Sequence, residues 1–442
     1  MTPDISVPIT HKRVITLVTP IILMGLSTPL LGIVDTAVIG QLGDAALIGA
    51  VAVGALIFTF LFWAFGFLRM GTTGLTAQAL GSADGQEIRA ALGRALLIAA
   101  IAGLALLLLQ VPLKLVSFLL VQGSGEVERE AATYFDIRMW SAPFTLANYA
   151  VLGWLVGMQQ TRAAMALQIF LNGVNAGLDA LFVLHFEWGV AGIATGTVMA
   201  EIATAFVGLG IALYVLRSYS GGWDWKTVTA WDKIARTIAV NRDIMIRTLM
   251  LLLSFSFFTM EGARQGDMVL AANAVLMQFV SFSAFFLDGF AFGAEALVGA
   301  AIGARHRLRF SEAVRLTSLW ALFLSLLLTL GFLLFGGYWI DFLTTSEEVR
   351  TAARTYLPWA AALPLISVAC FQLDGIFIGA TRAEDMRNAS FLSTATFFFF
   401  WWVLLPFGNH GLWAALLLFN VSRALTLGRY YPRLLRSVAR PS

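Results

Sequence analysis

The sequence predicts an all-α polytopic membrane protein: twelve transmembrane helices arranged as two pseudo-symmetric six-helix bundles. Three observations lead there. Of the 442 residues, 59% are hydrophobic and 12% charged, roughly half the charged share of a soluble domain. The apolar runs match the ~20 residues needed to cross a bilayer. The second half of the chain also repeats features of the first at a nearly constant spacing.

Reading the apolar runs against Gly, Pro and charged breaks places spans near 14–38, 46–80, 92–117, 131–157, 163–184 and 190–216. A second set falls near 242–263, 270–303, 314–337, 351–380, 388–405 and 411–430. The chain thus divides into an N-lobe, 1–220, a linker, 221–241, and a C-lobe, 242–442. Met1 to Thr10 lacks the basic-then-apolar pattern of a cleaved signal, so the first helix is expected to stay in the mature protein.

Orientation follows from the basic residues. With a cytoplasmic N-terminus, inner segments hold 21 of the 29 Lys and Arg, outer loops hold 5, and Arg69, Arg138 and Arg423 fall within spans. Both termini are expected in the cytoplasm, and the chain in the cell (inner) membrane. The longest connection, Arg217 to Arg247, carries Trp223, Trp225 and six basic residues, which suits a linker at the headgroup level. No nucleic-acid partner is expected.

The internal repeat is legible in short strings. Gly43-Asp44-Ala45-Ala46-Leu47 returns as Gly266-Asp267-Met268-Val269-Leu270, and Gly153-x-x-x-Gly157 as Gly375-x-x-x-Gly379. Tyr134, Pro143 and Thr161-Arg162-Ala163 are matched by Tyr356, Pro364 and Thr381-Arg382-Ala383. Six crossings bring the chain back to the side it started from, so the repeats are parallel. That symmetry fits a ligand path that opens alternately to each side.

An ionisable side chain at bilayer depth costs at least about 2.5 kcal/mol, so each one is a candidate for function. The first helix carries Asp35 near its outer end and Pro20 in its inner half, where a missing backbone hydrogen bond permits either a fixed kink or a hinge. The fifth carries Asn172, Asn175 and Asp179 at spacings that share one stripe; Thr195, Thr197 and Glu201 follow on the sixth. A carboxylate among amide and hydroxyl oxygens can hold a proton or a small hard cation. Alternatively, such groups bond helices together at about 0.6 kcal/mol per contact.

The repeat separates the halves. At its spacing Asp35 corresponds to Phe258, Asn175 to Phe397 and Asp179 to Trp401, inside the run Phe397 to Trp402. The ion site is therefore expected in the first half. Glu261, Asp288, Glu295 and Asp374 are the acids of the second half, available to line a substrate path, hold a cation or pair with neighbours such as Arg264. None of the four lysines follows a glycine, so no phosphate-binding Walker loop exists, and the lone Cys370 excludes an intrachain disulfide. His11, His185, His306 and His410 fall in loops or helix ends without metal spacing, so no cofactor is expected and an enzyme is disfavoured.

The chain resembles the multidrug and toxic compound extrusion (MATE) family, and its DinF branch most. The resemblance lies in Pro29-x5-Asp35-Thr36-Ala37-x2-Gly40-x-Leu42-Gly43, in Leu287-Asp288-Gly289-Phe290-Ala291 with Glu295, and in Leu373-Asp374-Gly375 through Thr381-Arg382. It implies a MATE-like fold and efflux of amphipathic, often cationic drugs coupled to a proton, or to Na+. It further implies Asp35, Asn175, Asp179 and Thr197 as the ion-binding set, with Asp35 and Asp179 as the Na+ ligands if sodium is used. Gln168, Asn172, Asp288, Glu295 and Asp374 are the candidates for lining the substrate cavity, and Pro20 for the hinge. The chain is expected to work as a monomer in lipid. The sodium-binding carboxylates of the NorM branch have no aligned equivalents. A lipid-intermediate flippase is the rival reading; its cavity would be arginine-rich, and only Arg69 and Arg138 were available for that.

Overall fold

A computed structural model describes residues 8–438 apart from 43 and 121–123. The first seven residues of the N-terminal segment, Gly43 of the repeated string and the last four residues of the C-lobe lie outside the described residues.

Among those described there is helix and no strand. The first half consists of α1 (His11–Gly40), α2 (Ala45–Trp63), α3 (Phe67–Gly81), α4 (Gly85–Leu108), α5 (Gln110–Leu120), α6 (Gly125–Arg138), α7 (Ala142–Gly157), α8 (Thr161–Ala180) and α9 (Gly189–Leu216). A four-residue helix, α10 (Trp225–Val228), interrupts the linker. The second half has α11 (Trp231–Arg264), α12 (Asp267–Gly303), α13 (Arg307–Leu343), α14 (Glu347–Gly379), α15 (Ala383–Val403), α16 (Gly408–Gly428) and α17 (Tyr431–Val438).

Each expected span is helical over most of its length. In a bilayer the backbone must satisfy its own hydrogen bonds, and helix does so within one segment. The starts are capped by side chains: Asp44 accepts from the Ala46 N–H, Asp84 from those of Gln86 and Glu87, and His306 Nδ1 from that of Arg309. Ten helical stretches are long and apolar enough to cross a membrane. The fourth and eleventh expected spans fall short. The α6–α7 stretch is broken by a tight turn at Met139–Ser141 and loaded with Glu126, Glu128, Glu130 and Asp136. Arg387, Asn388, Ser390 and Ser393 dilute α15.

The repeat is built into the backbone. Non-glycine residues in the left-handed region stand at Ala83 and Arg305, and again at Gln159 and Thr381, each pair 222 residues apart. The glycine strings repeat their contacts too. A Cβ on Gly153 would strike the Arg69 carbonyl and one on Gly157 that of Thr73, while Gly375 and Gly379 meet the carbonyls of Ala291 and Glu295 in the same way. Small residues are what let two membrane helices come this close. The copies differ at α2–α3, where the first half breaks its second span at Ala64 to Gly66 and the second half runs straight through α12.

The described residues form two compact units, and the division passes through α1. One unit is Leu23–Thr237. The other is 238–438 together with the start of α1 up to Ile22, whose Ile22 and Val18 side chains pack on Gly289 and Gly293 of α12.

Candidate functional site

In the unit Leu23–Thr237, α1 and α8 bring Asp35 and Asp179 together. Asp179 is fully buried and Asp35 is 8% exposed, and their carboxyl groups lie within hydrogen-bonding reach of each other. Neither Asp179 oxygen meets a donor from elsewhere in the protein, and the same holds for Asp35 Oδ1. Gly196 on α9 makes room, since a Cβ there would collide with Asp179 Oδ1.

Around this pair the stripe read from the sequence is intact. Asn175 Nδ2 donates to Thr197 Oγ1 at 3.1 Å, and Thr197 in turn donates to the Ile193 carbonyl at 2.9 Å. Gln168 Nε2 donates to Asn172 Oδ1 at 3.1 Å, and Asn172 Nδ2 to the Ser27 carbonyl of α1 at 3.0 Å. Asn172 thus ties α8 to α1 and Asn175 ties it to α9, while Gln168 supports Asn172 from within α8. Pro20 lies inside α1, two residues before the division at Ile22.

Sequence reasoning left out two members of this neighbourhood as a pair. Arg138, at the end of α6, places its guanidinium over the rings of Phe58 and Phe62, 5.6 and 5.4 Å from their centroids. Its Nη2 lies 3.6 Å from Glu201 Oε1. Glu201 is independently held by Asn148, whose Nδ2 donates to Oε2 at 2.7 Å. The signal was present as an arginine and a glutamate in separate spans, but pairing them required the packing of α6 on α9.

The second unit holds its acids differently. Asp374 Oδ2 accepts from Arg423 Nη2 at 2.5 Å and also from Arg247. Arg247, grouped with the linker in the sequence reading, is buried inside α11. It joins Arg69, Arg138 and Arg423 among the arginines of the expected spans, and both it and Arg423 are bound to a carboxylate. Glu261 pairs with Arg264 at 2.6 Å; Glu295 is buried, and Asp288 is half-buried and acts electrostatically on Arg423. Where the first unit has its polar stripe, this one has rings: Phe257 meets Trp401 at 4.8 Å and Phe397 meets Phe419 at 5.9 Å. Among the described residues no group of three or more His, Cys, Asp or Glu is arranged to hold a metal.

The MatE family model matches residues 20–181 and 244–403, one match on each half. The chain belongs to the MatE family. The two matches to MatE coincide with the two copies of the repeat, which explains why one family model fits the chain twice. DNA damage-inducible protein F of Escherichia coli (strain K12) is 42% identical over 417 residues, 94% of this chain and 90% of that one. The probable multidrug resistance protein NorM of Rhizobium meliloti (strain 1021) is 22% identical over 430 residues, covering 92% of this chain and 89% of that one. A crystal structure of MATE in the bent conformation superposes with a TM-score of 0.88 at 16% identity, over 97% of this chain and 96% of that one. The chain is a multi-pass membrane transporter of the MatE family.

Proposed function

We propose that this transporter is a proton-coupled antiporter that exports amphipathic, often cationic compounds, with the Asp35–Asp179 pair as its proton site. The observation that carries this is the contact of two carboxyl groups in a buried site where both Asp179 oxygens and Asp35 Oδ1 meet no other donor. Two charged carboxylates in contact repel; one bridging proton turns the repulsion into a hydrogen bond.

A second proton, or its loss, changes what the pair can hold. Protonation from the outer side neutralises Asp35, its side chain repacks, and α1 bends at Pro20, where the helix lacks a hydrogen bond. The residues after Ile22 carry the Ser27 carbonyl that Asn172 holds, so bending moves the wall to which Gln168 and Asn172 belong and displaces substrate outward. Release of the proton to the cytoplasm restores the straight helix. Asp288, Glu295 and Asp374 are assigned to the substrate path of the second unit. A fold neighbour solved in a bent conformation supports bending as a motion the fold allows.

Sodium is the second reading. Asn175 Oδ1 lacks a donor, so an oxygen set of Asp35, Asp179, Asn175 and Thr197 is open to a small hard cation.

The test is efflux of a cationic dye, ethidium, from proteoliposomes with proton and sodium gradients imposed separately, on wild type and Asp35→Asn. The proton reading expects efflux driven by the proton gradient alone and lost in Asp35→Asn, with the variant still folded in the membrane. Full efflux in Asp35→Asn sinks the assignment; efflux driven by sodium at fixed pH transfers the site to sodium.

A further inference from the structure

Arg138 is 8% exposed within the fourth expected span, and a buried arginine persists only with partners. Its partners are unequal. The faces of Phe58 and Phe62 attract its charge without fixing its direction. Ser141 Oγ accepts from Nη1 within the same turn. The carboxylate nearest to it is Glu201, yet 3.6 Å is beyond a charge-assisted hydrogen bond, typically ~2.7–2.9 Å. Glu201 does not depend on that contact, because Asn148 Nδ2 bonds both its Oε2 at 2.7 Å and its main-chain carbonyl at 3.0 Å. Glu201 stands one turn after Thr197 on α9, where Thr197 accepts from Asn175 and Gly196 packs on Asp179 Oδ1, so the contact with Glu201 seats Arg138 beside the aspartate pair and within electrostatic range of both its members. Its side chain therefore has a loose tether to one carboxylate and a second pair of carboxylates nearby.

The charge count gives this geometry a consequence. Asp35, Asp179 and Glu201 are three carboxylates, and Arg138 is the guanidinium seated among them. The other ionisable groups facing it are Tyr134 on α6 and Tyr149 on α7, with Arg69 of α3 acting on Tyr149. No residue of α2 is ionisable, and Lys114 of α5 is bound to Asp136 at 2.6 Å.

We propose that Arg138 is the resident counter-cation of the Asp35–Asp179 pair, dividing its charge between that pair and Glu201 and so setting the proton concentration at which the pair loads. It is a positioning residue: it acts through the two aspartates and touches neither proton donor nor substrate. Glu201 is its second pole, weakening the hold of Arg138 on the pair. The inference rests on the proton-coupled reading above and adds to it which residue tunes the coupling.

Opposite signs make the test. The pH midpoint of ethidium efflux from proteoliposomes is measured for wild type, Arg138→Met, Arg138→Lys and Glu201→Gln. Removing the cation favours the protonated pair, so Arg138→Met moves the midpoint up by about one pH unit. Removing the competing anion frees Arg138 for the pair, so Glu201→Gln moves it down. Arg138→Lys keeps the charge and stays close to wild type. A purely structural Arg138–Glu201 bond lowers the amount of folded protein in both variants and leaves the midpoint where it was; that result, or shifts of the same sign, overturns the proposal. If Arg138→Met does not accumulate, the downward shift of Glu201→Gln carries the test, and its absence in folded protein overturns the proposal. A wild-type protein whose efflux ignores the proton gradient removes the underlying coupling instead, and is distinguished because it needs no variant.

Discussion

The first unit places Asp35 against Asp179 and Asn175 on Thr197; in the corresponding region the second unit places Phe257 against Trp401 and Phe397 against Phe419. The helices that carry these pairs follow the same repeat, so one packing position accepts either two polar groups or two rings. What keeps the frame constant lies elsewhere, in the left-handed turns at Ala83 and Arg305 and the glycines that seat α7 on α3 and α14 on α12. Chemistry and scaffold are therefore carried by different residues. A half can lose its polar site to aromatic packing without losing its fold, because apolar burial and ring contact replace what polar pairing supplied.

The comparison breaks most visibly if the contents are exchanged. Phe397 is fully buried in a cluster with Phe258, Trp413 and Leu416. Phe397→Asn, which installs the residue of the first half, removes ring packing worth about 3–5 kcal/mol and leaves an amide without the hydroxyl that Asn175 enjoys. Most of the variant should be lost from the monodisperse peak in detergent gel filtration; a wild-type yield would show that the two positions are interchangeable after all.

Smaller and symmetric effects are expected from the scaffold. Gly153→Val and Gly375→Val force a side chain into a neighbouring backbone carbonyl, at about 1–3 kcal/mol each. The thermal melting temperature of purified protein should fall by similar amounts for both, and a large effect in one half alone would mean that the copies are not held by the same contacts. Removing polar contacts of the first unit does less to stability. Thr197→Val or Asn175→Ala should cost about 0.6 kcal/mol in folding while reducing proton-driven efflux several-fold, and a melting change without a transport change would return these residues to a bonding role.

The smallest effect belongs to the linker. The hydroxyl of Thr227 and the backbone N–H of Lys226 hold the half-buried Asp224 carboxyl below its ordinary value of 3.8. A carboxylate lowered on folding stabilises above its unfolded value, and that contribution fades as pH falls through the folded one. Limited proteolysis near α10 should be constant from neutral pH down to the ordinary aspartate range and rise only below it, and Asp224→Asn should remove that pH dependence.

Much of the scaffold was legible because spans and repeats are long-range averages over composition. The stripe on α8 was legible as well, since helical spacing alone puts Asn172, Asn175 and Asp179 on one side. Single-residue register was less so, because the repeat runs at 223 for Gly43 and Gly266 and at 222 for the turns at Ala83 and Arg305, a shift of one helical position that turns a side chain by about 100°. The burial of Arg247 escaped notice because charged residues near a span end are ordinary; only Asp374 and Arg423 on other helices show that it faces inward. The break between α2 and α3 follows Trp63-Ala64-Phe65-Gly66, a string whose one glycine is no stronger a breaker than others that stay helical.

The division of α1 has a consequence for how the chain is made. Val18 packs on Gly293 and Ile22 on Gly289, partners that leave the ribosome about 270 residues later, which at ~5–20 residues per second is a wait of roughly 14–54 s. During that interval this stretch of α1 lacks its final partners, so the residues up to Ile22 are among the last to reach their place.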